Sequence, residues 1–310
     1  MSQTTTPRQI QVKSAKASDL TFGIEIECFL PRGSVRVGGY HRGATLGGDF
    51  PAGWNAQHDG SLHTALRGYE GVEIVSPILQ GADGLAQLRQ VAAILKRMNA
   101  RVNASCGFHV HVGCTSVAGH NYDDVADWIR RLINLTAQHE LAFYGATGTR
   151  RRYNHRWCGS LANGAWKNKK EALKKKLTAE QFRREAAGIG RYQLLNVAPA
   201  FGRGTVEFRC FGGTTDALKM EAYLTMCLAA ATRALDRNTS FDAPQARYAG
   251  SGAAGAMKRW FYLMGWTKGR KDYYLPECVV EGWIGELADL GQIKRELTRL
   301  ARKFDGDGDA

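Results

Sequence analysis

Four segments of the chain alternate between apolar and charged residues, as a β-strand with one buried face does. They are TFGIEIECFL at 21–30, EGVEIVSPI at 70–78, GFHVHVG at 107–113 and GTVEFRCF at 204–211. One face of each segment consists of Val, Ile, Phe and Cys residues. The pattern predicts an α+β protein in which a mainly antiparallel sheet packs one side on helices.

The opposite face of these strands carries an unusual set of side chains. A solvated sheet face ordinarily mixes Lys, Thr and Ser, but this one holds four glutamates, two histidines and one arginine: Glu25, Glu27, Glu73, His109, His111, Glu207 and Arg209. Crowded carboxylates repel one another and are tolerated when cations neutralise them. Because carboxylate oxygens suit Mg²⁺ or Mn²⁺ and imidazole suits Mn²⁺, the face indicates two divalent ions that hold a nucleotide triphosphate.

Helical periodicity fills much of the chain between and after the strands. Asp83 is expected to cap a helix with Leu85, Leu88, Ala92, Leu95 and Met98 on its apolar face. Thr178 and Gln181 resemble a capping box that starts another helix. Further helices are predicted at about 123–143, at about 216–235 and from 252 onward. The glycine-rich residues 32–53 indicate a mobile loop.

Charge is concentrated in one part of the 310-residue chain. The formal net charge is +13, and thirteen Lys and Arg against three Glu between Arg150 and Arg191 contribute +10 of it. This basic segment predicts an acidic partner, either a nucleotide, a polyanionic polymer or an acidic peptide. A solvated basic helix face is the simpler interpretation. Because aromatic residues are interleaved with the cations, the segment could bind single-stranded nucleic acid or form a lid over ATP.

Other classes of protein fit the sequence less well. No stretch approaches the ~20 apolar residues of a membrane span, and residues 1–19 resemble a flexible leader without a secretory signal. Seven scattered cysteines suit reduced thiols in the cytoplasm. A zinc site at Cys106, Cys114, His109 and His111 is disfavoured, because the cysteines are eight residues apart. A cysteine nucleophile with a histidine base lacks an orienting group.

Five short motifs, in order along residues 20–235, resemble a known superfamily. They are GIEIECFL, HDGSL at 58–62, GVEIVSP, GFHVHV and TVEFRCF. Together they are similar to the glutamine synthetase and glutamate–cysteine ligase superfamily, and most of all to its amidoligase branch, which occurs in phages, bacteria and fungi. The resemblance implies a curved, mainly antiparallel sheet with a concave metal- and ATP-binding face, like the glutamine synthetase catalytic domain.

The resemblance also implies roles for individual residues. Metal ions would be held by Glu25, Glu27, Glu73, His109 and Glu207. His111, Arg191 and Asn196 would lie near the nucleotide, and Arg209 would stabilise the phosphoryl group as it moves. Asp59 would position, and help deprotonate, the incoming amine. The reaction would join a carboxylate and an amine through an acyl phosphate made from ATP. Glutamine synthetases have further glutamates where only Glu73 is present here, so the number of metals stays open.

Domain organisation follows from the extent of the resemblance. A ligase catalytic domain is predicted at 20–240, with a basic insertion or lid at about 150–191. A helical extension at 241–304 and a disordered acidic tail at 305–310 complete the chain. Candidate substrates are an acidic peptide, an amino acid or a modified nucleic acid. The alternative is a non-catalytic module that binds nucleic acid through the basic segment.

Overall fold

The computed structural model describes residues 20–153, 155–236, 251–264, 266 and 289–307. These residues form an α+β fold in which helices pack on a mostly antiparallel open sheet. Its strands are β1 Thr21–Pro31, β2 Ala44–Thr45, β3 Asn55–Gln57, β4 Tyr69–Val75, β5 Leu79–Gln80, β6 Gly107–Gly113, β7 Leu195–Asn196 and β8 Thr205–Gly212. Its helices are α1 Gly81–Arg97, α2 Cys114–Ala118, α3 Tyr122–Gln138, α4 Glu140–Gly145, α5 Ala179–Ala186, α6 Ala217–Asp236, α7 Gly252–Leu263 and α8 Leu290–Gly306.

The sheet brings the four predicted strands side by side. Its order is β2-β3-β4-β1-β6-β8-β7, with β5 beside one end of β1. The register sets Glu27 opposite Glu73 and Glu25 opposite His109. On the far side of β6, His111 lies opposite Glu207. The polar faces of four strands therefore form one continuous surface.

A bulge between β6 and β8 adjusts this register. From Phe108 to Val110, β6 advances two residues, while β8 advances three, from Phe211 back to Phe208. The extra residue turns both Cys210 and Phe211 into the core, where each is fully buried. A bulge bends a strand and re-aims side chains, which here puts two consecutive residues in the core, while Glu207 and Arg209 keep the alternation that places both on the polar face.

The apolar face of the sheet is covered mainly by α6. Tyr223 of this helix stacks on Phe211, with ring centroids 4.3 Å apart, and also lies 5.7 Å from the ring of Phe108. The strand residues Ile24, Ile26 and Val110 are 0–1% exposed. Removing such side chains from water is worth about 1.5–3 kcal/mol each, so the core holds the polar face in place.

Two predicted helix boundaries are wrong. Asp83 does not cap α1, which begins at Gly81 after Gln80; the Asp83 carboxylate instead accepts a bond of 2.8 Å from the Gln87 side chain. The predicted helix at 123–143 is two helices, because the backbone of His139 (φ −116°, ψ 17°) leaves the helical path. The capping box at the start of α5 is confirmed.

The glycine-rich segment 32–53 has more structure than a mobile loop would. Its strand β2 pairs with β3, and Leu46 is buried. The backbone nitrogen of Leu46 donates to the Trp54 carbonyl at 2.9 Å, and Gly38 makes a parallel bridge to Gln57. These bonds hold the segment against the sheet edge next to the polar face.

Helices α7 and α8 pack on α4 and on each other. Asp305 accepts bonds from the Ala253 and Ala254 nitrogens at the start of α7, and Asp307 accepts from Thr149 Oγ1 and the Arg150 nitrogen. Helix α8 thus extends past residue 305, where the acidic tail was predicted to begin, because these carboxylates cap other turns. The predicted leader 1–19, residues 308–310, and residues 241–250 and 267–288 of the predicted extension lie outside the described residues. No helix in the described part of the chain is both long and apolar enough to cross a membrane.

Candidate metal and nucleotide site

One pocket of about 240 Å³ lies over the polar face of the sheet. All ten side chains predicted from the sequence line it: Glu25, Glu27, Asp59, Glu73, His109, His111, Arg191, Asn196, Glu207 and Arg209. They come from five strands and from two loops. The interpretation of the sequence requires these side chains to meet in one pocket, and the fold brings them together. Their chemical roles stay predictions.

Glu25 lies at the centre of the pocket. Its two carboxylate oxygens are 3.0 Å from Nδ1 of His109 and 3.1 Å from Nε2 of His111. Burial alone would raise the pKa of Glu25, but the hydrogen bonds and charges of the two histidines outweigh it and hold that pKa well below its ordinary value. Burial lowers the pKa of His111, but the hydrogen bond and charge of Glu25 outweigh burial, so this pKa is raised above its ordinary value.

Glu27 and Glu73 form a second acidic group beside Glu25. The backbone nitrogen of Gly107 donates to Glu27, and the side-chain amide of Gln57 donates to Glu73. Burial and then the charge of Glu25 raise the pKa of Glu73 to about 8, although the bond from Gln57 opposes the rise. Burial first, and the neighbouring carboxylates second, therefore disfavour the ionised form of Glu73.

Glu207 closes the other side of the pocket. Asn196 Nδ2 donates to it at 2.7 Å, Arg209 Nη1 also donates, and His109 Nδ1 lies 3.5 Å away. The Asn196 amide thus holds Glu207, and its contact with a nucleotide stays a prediction. The buried Nε of Arg209 has no hydrogen-bond partner among the described residues.

The side chains fit divalent metal ions. Three overlapping groups have ligand atoms within 4.8 Å of one another: Glu25 with His111 and Glu207, Glu25 with Glu73 and His109, and Glu27 with Asp59 and Glu73. Carboxylates with single imidazoles form the oxygen-rich donor set of Mg²⁺ and Mn²⁺. Burial first, and the charges of Glu25 and Glu27 second, raise the pKa of Glu73, so a bound cation would favour its ionised form.

The sequence analysis missed several residues of the pocket. Tyr40 and His41 occupy a turn closed by a 2.9 Å bond from the Arg42 nitrogen to the Gly39 carbonyl. His41 has a positive φ of 56°, which is uncommon outside glycine. Their positions in a glycine-rich segment gave no periodic signal. Gln57 does not line the pocket but donates to Glu73 from beside it, and it could have been found because it directly precedes the HDGSL motif.

The cysteines do not belong to this site. Cys106 and Cys114 are each 1% exposed and line neither this pocket nor its neighbour. Burial raises the pKa of Cys106 to about 11 and that of Cys114 to about 12. Both thiols stay protonated at neutral pH, which argues against zinc binding and nucleophilic attack.

The basic segment has two parts with different surroundings. Several of its surface cations pair with nearby carboxylates, as in Lys169 with Glu185 and Lys174 with Glu171. Arg152 and Arg191 instead line the cavity next to the acidic pocket. This arrangement favours a role at the pocket over a nucleic-acid surface.

Fold and site together define an α+β protein with a carboxylate–imidazole pocket on an antiparallel sheet. The chain belongs to the family described as "Putative amidoligase enzyme", whose model matches residues 18–231. Membership in this family supports a carboxylate–amine ligase in general.

Comparisons with individual proteins add little to this. Solved structures with a match include a bifunctional glutathione synthetase from Pasteurella multocida, at 10% sequence identity and a TM-score of 0.46. The match covers 94% of this chain and 50% of the synthetase chain, so the protein spans about half of that structure's length. No curated protein matches the chain.

Proposed function

We propose that the protein is an ATP-dependent ligase that joins a carboxylate to an amine through an acyl phosphate, on a glutamine synthetase-like catalytic sheet. One observation carries the proposal: glutamates and histidines from β1, β4, β6 and β8 converge on one pocket beside Arg209. Structural salt bridges do not account for them, because the four glutamates outnumber the cations that contact them. Family membership supports the same reaction class.

In this proposal Glu25, Glu27, Glu73, His109 and Glu207 hold Mg²⁺ or Mn²⁺. Bound divalent ions would neutralise these carboxylates and the phosphate oxygens of ATP. The protein's part is to fix the ligands before anything binds. Gln57, Gly107 and Asn196 each donate to one of the glutamates, so these carboxylates keep their positions.

The first step forms the acyl phosphate. A carboxylate oxygen of the substrate attacks the γ-phosphorus, the bond from that phosphorus to the β,γ-bridging oxygen breaks, and ADP leaves with the electron pair. Arg209 stabilises the charge on the phosphoryl oxygens as they move. Its guanidinium is oriented by Glu207 and lies 5.9 Å from the centre of the Tyr192 ring.

The second step forms the amide. The amine nitrogen attacks the acyl carbon, the bond from that carbon to the phosphate oxygen breaks, and phosphate leaves with the electron pair. Asp59 takes the proton that the ammonium loses before it attacks, and the departing phosphate takes the proton that the nitrogen loses as the amide forms. The Asp59 carboxylate is held by a 2.6 Å bond from the Ser61 nitrogen. The basic insertion at 150–191 serves as the lid that keeps water from the acyl phosphate.

The test is ADP release by the full-length protein with Mg²⁺, ATP and pooled carboxylates and amines. We expect release that requires both pools, and we expect Glu25→Ala and Glu207→Ala to abolish it. The matched control is Glu70→Gln, because Glu70 is on β4 but outside both cavities. Turnover retained by both alanine variants would rule the proposal out.

A further inference from the structure

A second cavity, of about 440 Å³, adjoins the metal pocket. The two share six lining residues: Glu27, Tyr40, Asp59, His109, Arg191 and Arg209. The second cavity alone is lined by His58, Ser61, Ser105, Arg152, Trp157 and Tyr192. Its size is within the range of small-molecule sites, about 300–1,000 Å³. The proposed ligase has two organic substrates, and this cavity has room for one of them.

Acidic and basic residues line opposite sides of this cavity, following the order of the strands across the sheet. Glu27 is on β1 and Asp59 follows β3, so the acidic wall lies on one side. Arg209 is on β8 and Arg191 precedes β7, so the basic wall lies on the other. Strand β6 separates β1 from β8, so the strands that carry Glu27 and Arg209 are on the order of 10 Å apart at about 4.8 Å per strand spacing, and Asp59 and Arg191 belong to segments next to β3 and β7, farther out in the sheet order.

The acidic wall suits an ammonium group. Asp59 accepts a backbone bond from Ser61 through one oxygen, and no cation pairs with it in the described ranges. Glu27 accepts from Gly107, with His109 Nε2 a further 3.7 Å away. The Asp59 carboxylate is therefore positioned by the backbone and keeps acceptor capacity for a ligand, while Glu27, a proposed metal ligand, adds negative charge to this wall.

The basic wall suits a carboxylate. Arg191 donates to the hydroxyls of Tyr40 at 3.4 Å and of Tyr192 at 3.2 Å, and it pairs with no carboxylate in the part of the chain that the structure describes. Its guanidinium lies 5.0 Å from the centre of the Tyr192 ring, against which Trp157 packs edge-on at 4.7 Å. The arginine is thus oriented by aromatic neighbours while its charge is left for an anion.

We propose that the second cavity binds the amine-supplying substrate and that this substrate is a zwitterion, an amino acid whose own carboxylate is bound by Arg191. The inference rests on the proposed function. One such ligand brings an ammonium to Asp59 and a carboxylate to Arg191, so each of these groups gains an oppositely charged partner. Free ammonia would leave Arg191 unpaired, a polyamine would bring positive charge against it, and a nucleic-acid phosphate would meet Asp59.

The test is saturation-transfer NMR on the full-length protein with Mg²⁺, a non-hydrolysable ATP analogue and the twenty amino acids in small pools. Each amino acid that binds is then compared with its amide and with its decarboxylated amine. We expect at least one amino acid to bind, and both counterparts to bind at least tenfold more weakly, because a hydrogen-bonded charge is lost.

Variants separate the two walls. Arg191→Gln should weaken amino acid binding at least tenfold and leave the decarboxylated amine unchanged, whereas Asp59→Asn should weaken both ligands. The matched control is Arg184→Gln, which lies in the same basic segment but outside both cavities. Thermal melts of each variant establish that it is folded.

The inference is overturned if no amino acid binds, if the amide binds as tightly as the amino acid, or if Arg191→Gln leaves the amino acid's affinity unchanged. Signals of the ATP analogue in the same samples separate this failure from that of the proposed function. If the ATP analogue binds and no amino acid does, the proposed amino acid substrate is contradicted but the proposed ligase is not. Selective amino acid binding without analogue binding would support the cavity assignment and contradict the ligase.

Discussion

Glu73→Gln should stabilise the metal-free protein at alkaline pH. Burial and the neighbouring carboxylates raise the pKa of Glu73 from 4.5 to about 8. A pKa that is raised on folding contributes stability below pH 4.5, and that stability is lost as pH rises through 8. At about 1.4 kcal/mol per pH unit, the loss totals about 5 kcal/mol, of which about 4 kcal/mol falls between pH 5 and pH 9. Glutamine keeps the shape and an acceptor for Gln57 but cannot ionise.

The assay is urea unfolding in a chelator at pH 5, 7 and 9, for the wild type, Glu73→Gln and the control Glu70→Gln. Groups far from Glu73 titrate alike in all three proteins, so the difference between wild type and Glu73→Gln reports on Glu73 and the carboxylates beside it. We expect this difference to grow by about 4 kcal/mol from pH 5 to pH 9, and Mg²⁺ to reduce it by neutralising the wild-type site. A difference that does not change with pH would refute the reasoning, because neither burial nor neighbouring charge would then disfavour the ionised form of Glu73.

Three further changes test other parts of the account. Burial, with the charge of Arg259, lowers the pKa of His139 to about 4. The neutral imidazole therefore contributes fully to the free energy of unfolding above pH 6.5, and about 3 kcal/mol of it is lost as pH falls toward 4. Urea unfolding of His139→Asn at pH 7 and pH 4.5 should not show this loss. Gly213→Ala would bring a Cβ within 2.4 Å of the Cys106 Cβ and 3.0 Å of the Glu27 carbonyl oxygen, and should cost about 1–3 kcal/mol, whereas the neighbouring Gly212→Ala meets nothing closer than 4.0 Å and should cost less. Arg209→Lys keeps the charge but loses the planar guanidinium, and should lower kcat roughly 10²- to 10³-fold in the ADP-release assay; an unchanged kcat would remove Arg209 from the phosphoryl-transfer step.

The sheet could be predicted because its information is local. Alternation in 21–30 and 107–113 fixes which side chains share a face, whatever strand lies next to them. The short strands β2, β3, β5 and β7 were missed because two or three residues are too few to show a period. They form only where a longer strand supplies an edge.

The residues of the candidate site also fall into a group that local pattern predicts and a group that it does not. Glu25, His109 and Glu207 stand on strands whose polar faces must meet once the apolar faces are buried. Tyr40, Trp157 and Arg152 reach the cavities from irregular segments, and no local pattern encodes how such a segment folds back. The break at His139 is of this kind too, since Glu140 turns there to accept bonds from Ser160 and the Leu161 nitrogen on a distant loop.

The central claim is that glutamates and imidazoles from separate strands bind cations that in turn hold a triphosphate. A crystal structure with Mn²⁺ and a non-hydrolysable ATP analogue, with anomalous diffraction recorded at the manganese edge, tests it most directly. The account predicts anomalous peaks within coordination distance of Glu25, Glu73 and Glu207, and the γ-phosphate next to Arg209. Nucleotide bound elsewhere, or a pocket without manganese at saturating concentration, would contradict it.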